Sequence, residues 1–214
     1  MVSHTVRGLQ VIINGLQDTS EKYNMRINTK KTKIMRMSTV EGTMKITVNG
    51  QNLERVKQFC YFGSLVTEDC RSCHDVRRRI ALGKEAFNKK SDLTRGSLSL
   101  HLKKRMVKEF IWSVALYGSE TWTLQKEDIR RLEAFEIWIW RRMMKVPWNE
   151  HKTNEEILKM VETKRKIMDT VRSRQKMARL HPETWLITEN NVRRTNTGGN
   201  KLTEDQEQCF WIDY

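Results

Sequence analysis

The sequence predicts an α+β fold in two parts: a helix with an antiparallel hairpin over residues 1–70, then a mainly α-helical region over 71–180. Three observations carry this. Leu9, Ile12, Ile13, Leu16, Ser20 and Tyr23 recur at helical spacing, and Met44–Val48 alternates up to Asn49-Gly50. From Ser72 onward the apolar period becomes that of helices. Only two Pro and ten Gly occur in 214 residues, so little interrupts a helix.

Taken in order, residues 6–23 read as one amphipathic helix. Met25–Asn28 and Lys33–Ser38 have extended character. Asn49-Gly50 between β-prone residues predicts a type I′ turn, because both central positions need positive φ. Leu53–Leu65 then supplies the returning strand. Three apolar stripes follow: Val76, Ile80, Gly83, Phe87; Leu102, Met106, Phe110, Val114; and Leu132, Phe135, Ile139, Met143. Each reads as core. Asp92–Ser99 and Gly118–Gln125 are the expected connections, and residues 154–180 a last helix. Beyond His181 the composition turns polar, and N-V-R-R-T-N-T-G-G-N-K has no period, so residues 181–214 read as a disordered tail.

Charge points to a class of partner. Forty Lys and Arg against 26 acidic residues give a net charge of +14 and a pI near 9.8. The excess is clustered: residues 71–110 hold twelve Lys/Arg and four Asp/Glu. A polyanion is the expected partner. Met1–Gln17 is interrupted by His4, Arg7, Asn14 and Gln17 and lacks a small-residue cleavage site, so no secretory leader is expected. No apolar run approaches the ~18 residues of a membrane span. Four cysteines without a leader read as reduced thiols, and an intracellular location, nuclear or cytoplasmic, is expected.

Several motifs occur in an informative order. N-M-R-I-N-T-K-K-T-K runs from Asn24 to Lys33, and F-C-Y-F-G-S-L from Phe59 to Leu65. Then come R-R-R-I-A, K-K-R, the block Tyr117–Trp122, and an aromatic helix ending W-I-W-R-R. From about Leu9 to about Val161 this succession resembles reverse transcriptases of LINE-type (non-LTR) retrotransposons, in the region just past the catalytic aspartates. The resemblance implies a partial palm with a primer-grip-like element at Tyr61 and Gly63, followed by a helical thumb-like region. It implies nucleic-acid contacts at Lys31, Tyr61, Gly63, Arg77, Arg78, Lys103, Lys104, Arg141 and Arg142, and an RNA or RNA–DNA hybrid as partner. Consecutive arginines fan around a helix, so at most two of Arg77, Arg78 and Arg79 can face one backbone. Such contacts would be sequence-independent and salt-dependent.

Two departures qualify the resemblance. The family's aromatic-x-Asp-Asp signature is expected just before Met1, and no adjacent Asp-Asp pair occurs in these residues. R-S-R-Q at Arg172–Gln175 matches a family segment, but the Gly-His pair expected after it is absent. Nucleotide addition needs two divalent ions held by clustered carboxylates. Mg2+ is therefore implied for the intact family enzyme, while this chain alone is expected to carry neither cofactor nor catalytic residue. Polymerase activity would need a separate palm-containing fragment as partner, beside which Lys31 would lie near the incoming triphosphate. Alone, Lys31 reads as solvated.

Cys70-Arg71-Ser72-Cys73-His74 fits C-x-x-C-H. Haem attachment is set aside because it requires export. A zinc site from Cys70, Cys73, His74 and a distant thiol has one half-site where a strong signal has two. The preferred reading is a loop between hairpin and first helix. The expectation is therefore a catalytically inactive fragment that binds nucleic-acid backbone. The alternatives are a non-functional or host-recruited interaction protein, or a small metal-binding protein using Cys70, Cys73 and His74.

Overall fold

The computed structural model describes residues 1–37, 43–90, 96–147, 149–180 and the backbone of 208–212. Ser38, part of the predicted Asp92–Ser99 connection, and most of the predicted tail lie outside these. The fold is α+β, and the chain divides into two compact units, Met1–Arg71 with Glu189–Tyr214, and Ser72–Thr188.

In the first unit, β1 (Val2–Ser3) leads into α1 (Val6–Lys22), whose N-cap Thr5 accepts from the Gly8 amide. Leu9 and Ile13 are buried on one side of α1. Met25–Asn28 is not a strand. Its backbone instead feeds a turn in which the Asn28 side chain accepts from the Lys30 and Lys31 amides, both at 3.1 Å. β2 (Lys33–Met37) follows.

Met44, Ile46 and Val48 are buried in strict alternation and pack with Leu9, Ile13, Ile34 and Leu53. β3 (Thr47–Val48) and β4 (Gln51–Asn52) pair antiparallel, Val48 opposite Gln51, with Asn49 at φ 50° and Gly50 at φ 74°. That is the predicted I′ turn. The returning strand, however, is broken. After β4 the chain forms β5 (Glu54–Arg55), parallel to β2, and then β6 (Gln58–Tyr61), which pairs with β7 (Ser64–Thr67). Phe62 and Gly63, at φ 44° and 80°, make a second two-residue turn that the expected long strand would have run through.

β8 (Gln208–Ile212) pairs antiparallel with β2, from Lys33 opposite Ile212 to Met37 opposite Gln208. The four-stranded order is β1-β8-β2-β5. Gln208–Ile212, within the segment expected to be a tail, thus forms a strand of this sheet.

The second unit is helical: α2 (Cys73–Lys89), α3 (Leu100–Met106), a π-helical segment (Val107–Trp112), α4 (Ser113–Ala115), α5 (Lys126–Met143), α6 (Asn154–Met160) and α7 (Ile167–Leu180). Its core joins Val76 and Phe87 of α2 to Leu132, Phe135, Ile139 and Met143 of α5, as the first and third stripes predict. Gly83 is buried because Phe135 and Ala115 leave no room for a side chain.

The second stripe is misplaced by one residue. Val107, Ile111, Trp112, Ala115 and Leu116 are buried, while Leu102 and Phe110 face solvent. The wider π turn rotates the helix against the expected 3.6 period. Residues 154–180 likewise form two helices. Thr153 and Glu156 make a capping box at the start of α6. Glu162 at φ 52° ends it, with the Thr163 amide bonding back to the Leu158 carbonyl at 3.0 Å.

Candidate nucleic-acid interface

The predicted contact residues fall into three groups. Lys31 is exposed at its turn, and the neighbouring Lys33 is ion-paired to Glu54. Tyr61 is half-buried at the end of β6, edge-to-face with Phe59 at 6.3 Å and with Phe62 at 4.6 Å. Gly63 supplies the positive φ of the turn. Phe62, which the sequence reading passed over, is 80% exposed at the hairpin tip. An aromatic at positive φ is costly, by about 1 kcal/mol or more. The signal was available: an F-G pair inside alternating residues is a turn, and its aromatic must point outward.

On α2 the arginine triplet divides as helical geometry demands. Arg77 and Arg78 are exposed, whereas Arg79 is buried beside Asp75, with its guanidinium 4.5 Å from the Tyr117 ring centroid. Asp75 also accepts from the Trp122 indole at 2.9 Å. Arg79 is thus part of the packing.

Two of the predicted contacts serve the fold. Lys104 Nζ donates to the carbonyls of Val161 at 2.9 Å and Glu162 at 3.3 Å, closing the carboxyl end of α6. Arg141 is only 6% exposed and donates to the Lys152 carbonyl. It sits one residue from Arg142, about 100° around the helix, and so belongs to the inner face. Lys103 is half-buried on α3.

Arg142 is the exposed member of its pair. Its guanidinium lies 5.0 Å from the Trp138 centroid, and Lys84 Nζ lies 5.4 Å from the same ring. Trp138 is half-buried and held by Phe87 at 5.4 Å and Phe135 at 6.3 Å. An indole anchored on its apolar side thus organises two cations, one from α2 and one from α5. Lys84 was not predicted. Arg77 and Lys84 are seven residues apart and share a face of α2, about 10 Å along its axis. Arg77, Lys84 and Arg142 form the best-defined exposed cationic row of this unit.

C-x-x-C-H does not form a loop throughout. Cys73 and His74 open α2, with Cys73 Sγ 3.4 Å from His74 Nδ1. Cys70 lies in a turn at φ 54°, where burial and the nearby Asp69 charge push its thiol up to about 12. Among the described residues no three His, Cys, Asp or Glu side chains converge on one point. Among them too, no helix is long and apolar enough to cross a membrane.

No protein-family model matches this chain, and no match is found among curated proteins or solved structures.

Proposed function

We propose that this chain is a piece of a non-LTR retrotransposon reverse transcriptase that binds nucleic-acid backbone and has no polymerase activity of its own. The observation that carries the binding reading is the pair Lys84 and Arg142 over Trp138, with Arg77 in line on α2. Three cations on rigid helices, backed by an anchored aromatic, suit phosphate oxygens of a duplex strand. The retrotransposon origin rests on the order of motifs along the sequence. RNA–DNA hybrid is the proposed partner.

Fluorescence anisotropy of a labelled RNA–DNA hybrid, titrated at several salt concentrations, tests this. Affinity should fall steeply with salt, and Lys84→Ala with Arg142→Ala should reduce the log–log salt slope by about two. An unchanged slope in that double variant would remove the proposed interface.

A further inference from the structure

The four-stranded sheet of the first unit takes an inner strand from far along the sequence. In the order β1-β8-β2-β5, β8 lies between β1 and β2, while the other three strands come from residues 2–55. It pairs antiparallel with both neighbours, and Phe210 stands opposite Val2 on one side and Met35 on the other. On its far side β2 is matched to β5 over Lys33 and Ile34 alone, whereas its ladder with β8 runs from Lys33 to Met37. β2 is also a buried strand, with Ile34, Met35 and Met37 at most 3% exposed. Without β8, two rows of backbone N–H and C=O groups would face each other about 10 Å apart, the width of one missing strand. Open edges of that kind are costly and template the pairing of another strand.

β8 reaches this slot through a long connection. Leu180 closes α7 in the helical unit and Gln208 opens β8 in the first, with residues 181–207 between them in sequence. Fully extended, a stretch of that length spans about 90 Å. A second molecule is within such a reach, and its slot offers β8 the same backbone hydrogen bonds in the same register. Concentration then decides between the closed chain and the exchanged pair. The strand reads Q-C-F-W-I, without the charge, proline or glycine that would oppose pairing in trans. An unrelated strand would have to suit five positions on β2 and two on β1, which β8 of another copy does by identity.

We propose that two copies of this chain exchange β8, each filling the β1–β2 slot of the other. The partner is a second copy, the junction is made of main-chain hydrogen bonds, and the pair is closed by two-fold symmetry. Tethering favours the closed form with an effective concentration on the order of a millimolar, so exchange grows as protein concentration approaches that value. This interaction goes beyond the binding of nucleic acid and does not depend on it.

The test uses the full chain, treated with nuclease so that no polyanion bridges two copies. Ser3→Cys places a thiol opposite Cys209, its register partner, and facing positions of an antiparallel pair lie within disulfide reach. Isotopically heavy and light copies are mixed, unfolded in urea, refolded together and oxidised, and the linked peptides are read by mass spectrometry. A link from position 3 of one isotope to Cys209 of the other reports exchange. Such mixed links should rise about tenfold between refolding at about 10 μM and at about 100 μM. Without oxidation, the wild type should show a dimer in sedimentation velocity that grows with concentration in the same way. Phe210→Pro, which removes an amide from the strand between Val2 and Met35, should reduce that dimer at least about fivefold. These two measurements keep the proposal testable if Ser3→Cys impairs folding. Links confined to one isotope at every concentration would overturn it and leave β8 an intramolecular strand. So would a dimer that Phe210→Pro leaves intact, which would belong to another surface.

Discussion

The indole N–H of Trp122 reaches the carboxylate of Asp75 across 2.9 Å, fastening the Gly118–Gln125 connection to the first turn of α2. Both groups are buried, and Arg79 Nε lies 3.9 Å from the other Asp75 oxygen. Nearby, the Thr123 amide donates to Ser72 Oγ at 2.9 Å, so the same two segments are joined twice. Trp122→Phe should destabilise the fold by about 1–3 kcal/mol, since it removes one donor to a buried acceptor. Asp75→Ala should cost more, about 3–5 kcal/mol, because it also strands the Arg79 guanidinium. Urea unfolding measures both. Equal losses would mean that Arg79 does not depend on Asp75.

Gly83 and Gly15 should respond oppositely to alanine. A Cβ at Gly83 would lie 2.7 Å from the Phe135 ring and 2.8 Å from Ala115 Cβ, while one at Gly15 meets nothing within 4 Å. Removing a helical glycine gains about 1 kcal/mol. Gly15→Ala should therefore raise stability by about that amount. Gly83→Ala should lower it by about 1–3 kcal/mol, as overpacking exceeds the propensity gain. A stabilised Gly83→Ala would show that Phe135 can step aside.

Arg141 and Arg142 should separate cleanly. Arg141→Ala should lower the unfolding midpoint, because its guanidinium serves the Lys152 carbonyl from a buried position. Arg142→Ala, at the surface over Trp138, should change stability by no more than about 0.5 kcal/mol and weaken hybrid binding. The converse result would exchange their roles.

Glu136 should make stability pH-dependent. It is fully buried and accepts from the amides of Lys166 and Ile167, capping α7 from a neighbouring helix. Burial holds its carboxyl above the ordinary value of 4.5, against the lowering effect of those amides. The native state thus keeps its proton to higher pH than the unfolded chain. The associated stability is complete below 4.5 and is lost as pH rises through the folded value. Denaturation midpoints measured from pH 4 to neutrality should fall in the wild type relative to Glu136→Gln. A constant difference would contradict this.

Cys70 should resist alkylation. With its thiol pushed up to about 12, the thiolate fraction at pH 8 is on the order of 10⁻⁴. Iodoacetamide followed by peptide mass spectrometry should find Cys70 modified about a thousandfold more slowly than an unhindered thiol in the denatured chain. Comparable rates would mean the turn at Cys70 opens readily.

Local chemistry was legible where one feature decided the outcome. Asn49-Gly50 demanded a turn because both residues accept positive φ cheaply, and Met44, Ile46 and Val48 showed their buried face by alternation. The α5 stripe held because Leu132 to Met143 follow an undisturbed 3.6 period. Legibility failed where a distant partner intervened. The π turn displaced the second stripe, and the contact at its end, Trp112 with Trp140 at 6.3 Å, lies across the fold where no local pattern records it. The break before α7 is stabilised by Glu136, thirty residues upstream. In the candidate interface, charge alone could not say that Arg141 and Lys104 would be spent on carbonyls of their own chain. Nor could it single out Lys84, whose importance comes from Trp138.

Gln175 donates to the carbonyls of Ser119 at 3.3 Å and Trp122 at 2.9 Å, and Arg174 reaches that of Leu116. These bonds span more than fifty residues, and they close a connection whose other end rests on Asp75. During synthesis, then, the α2 to α5 portion emerges with these acceptors served only by water. This half of the chain can reach its final state only after the ribosome has passed Gln175 and α7 has cleared the exit tunnel. Its assembly is therefore a late event in translation.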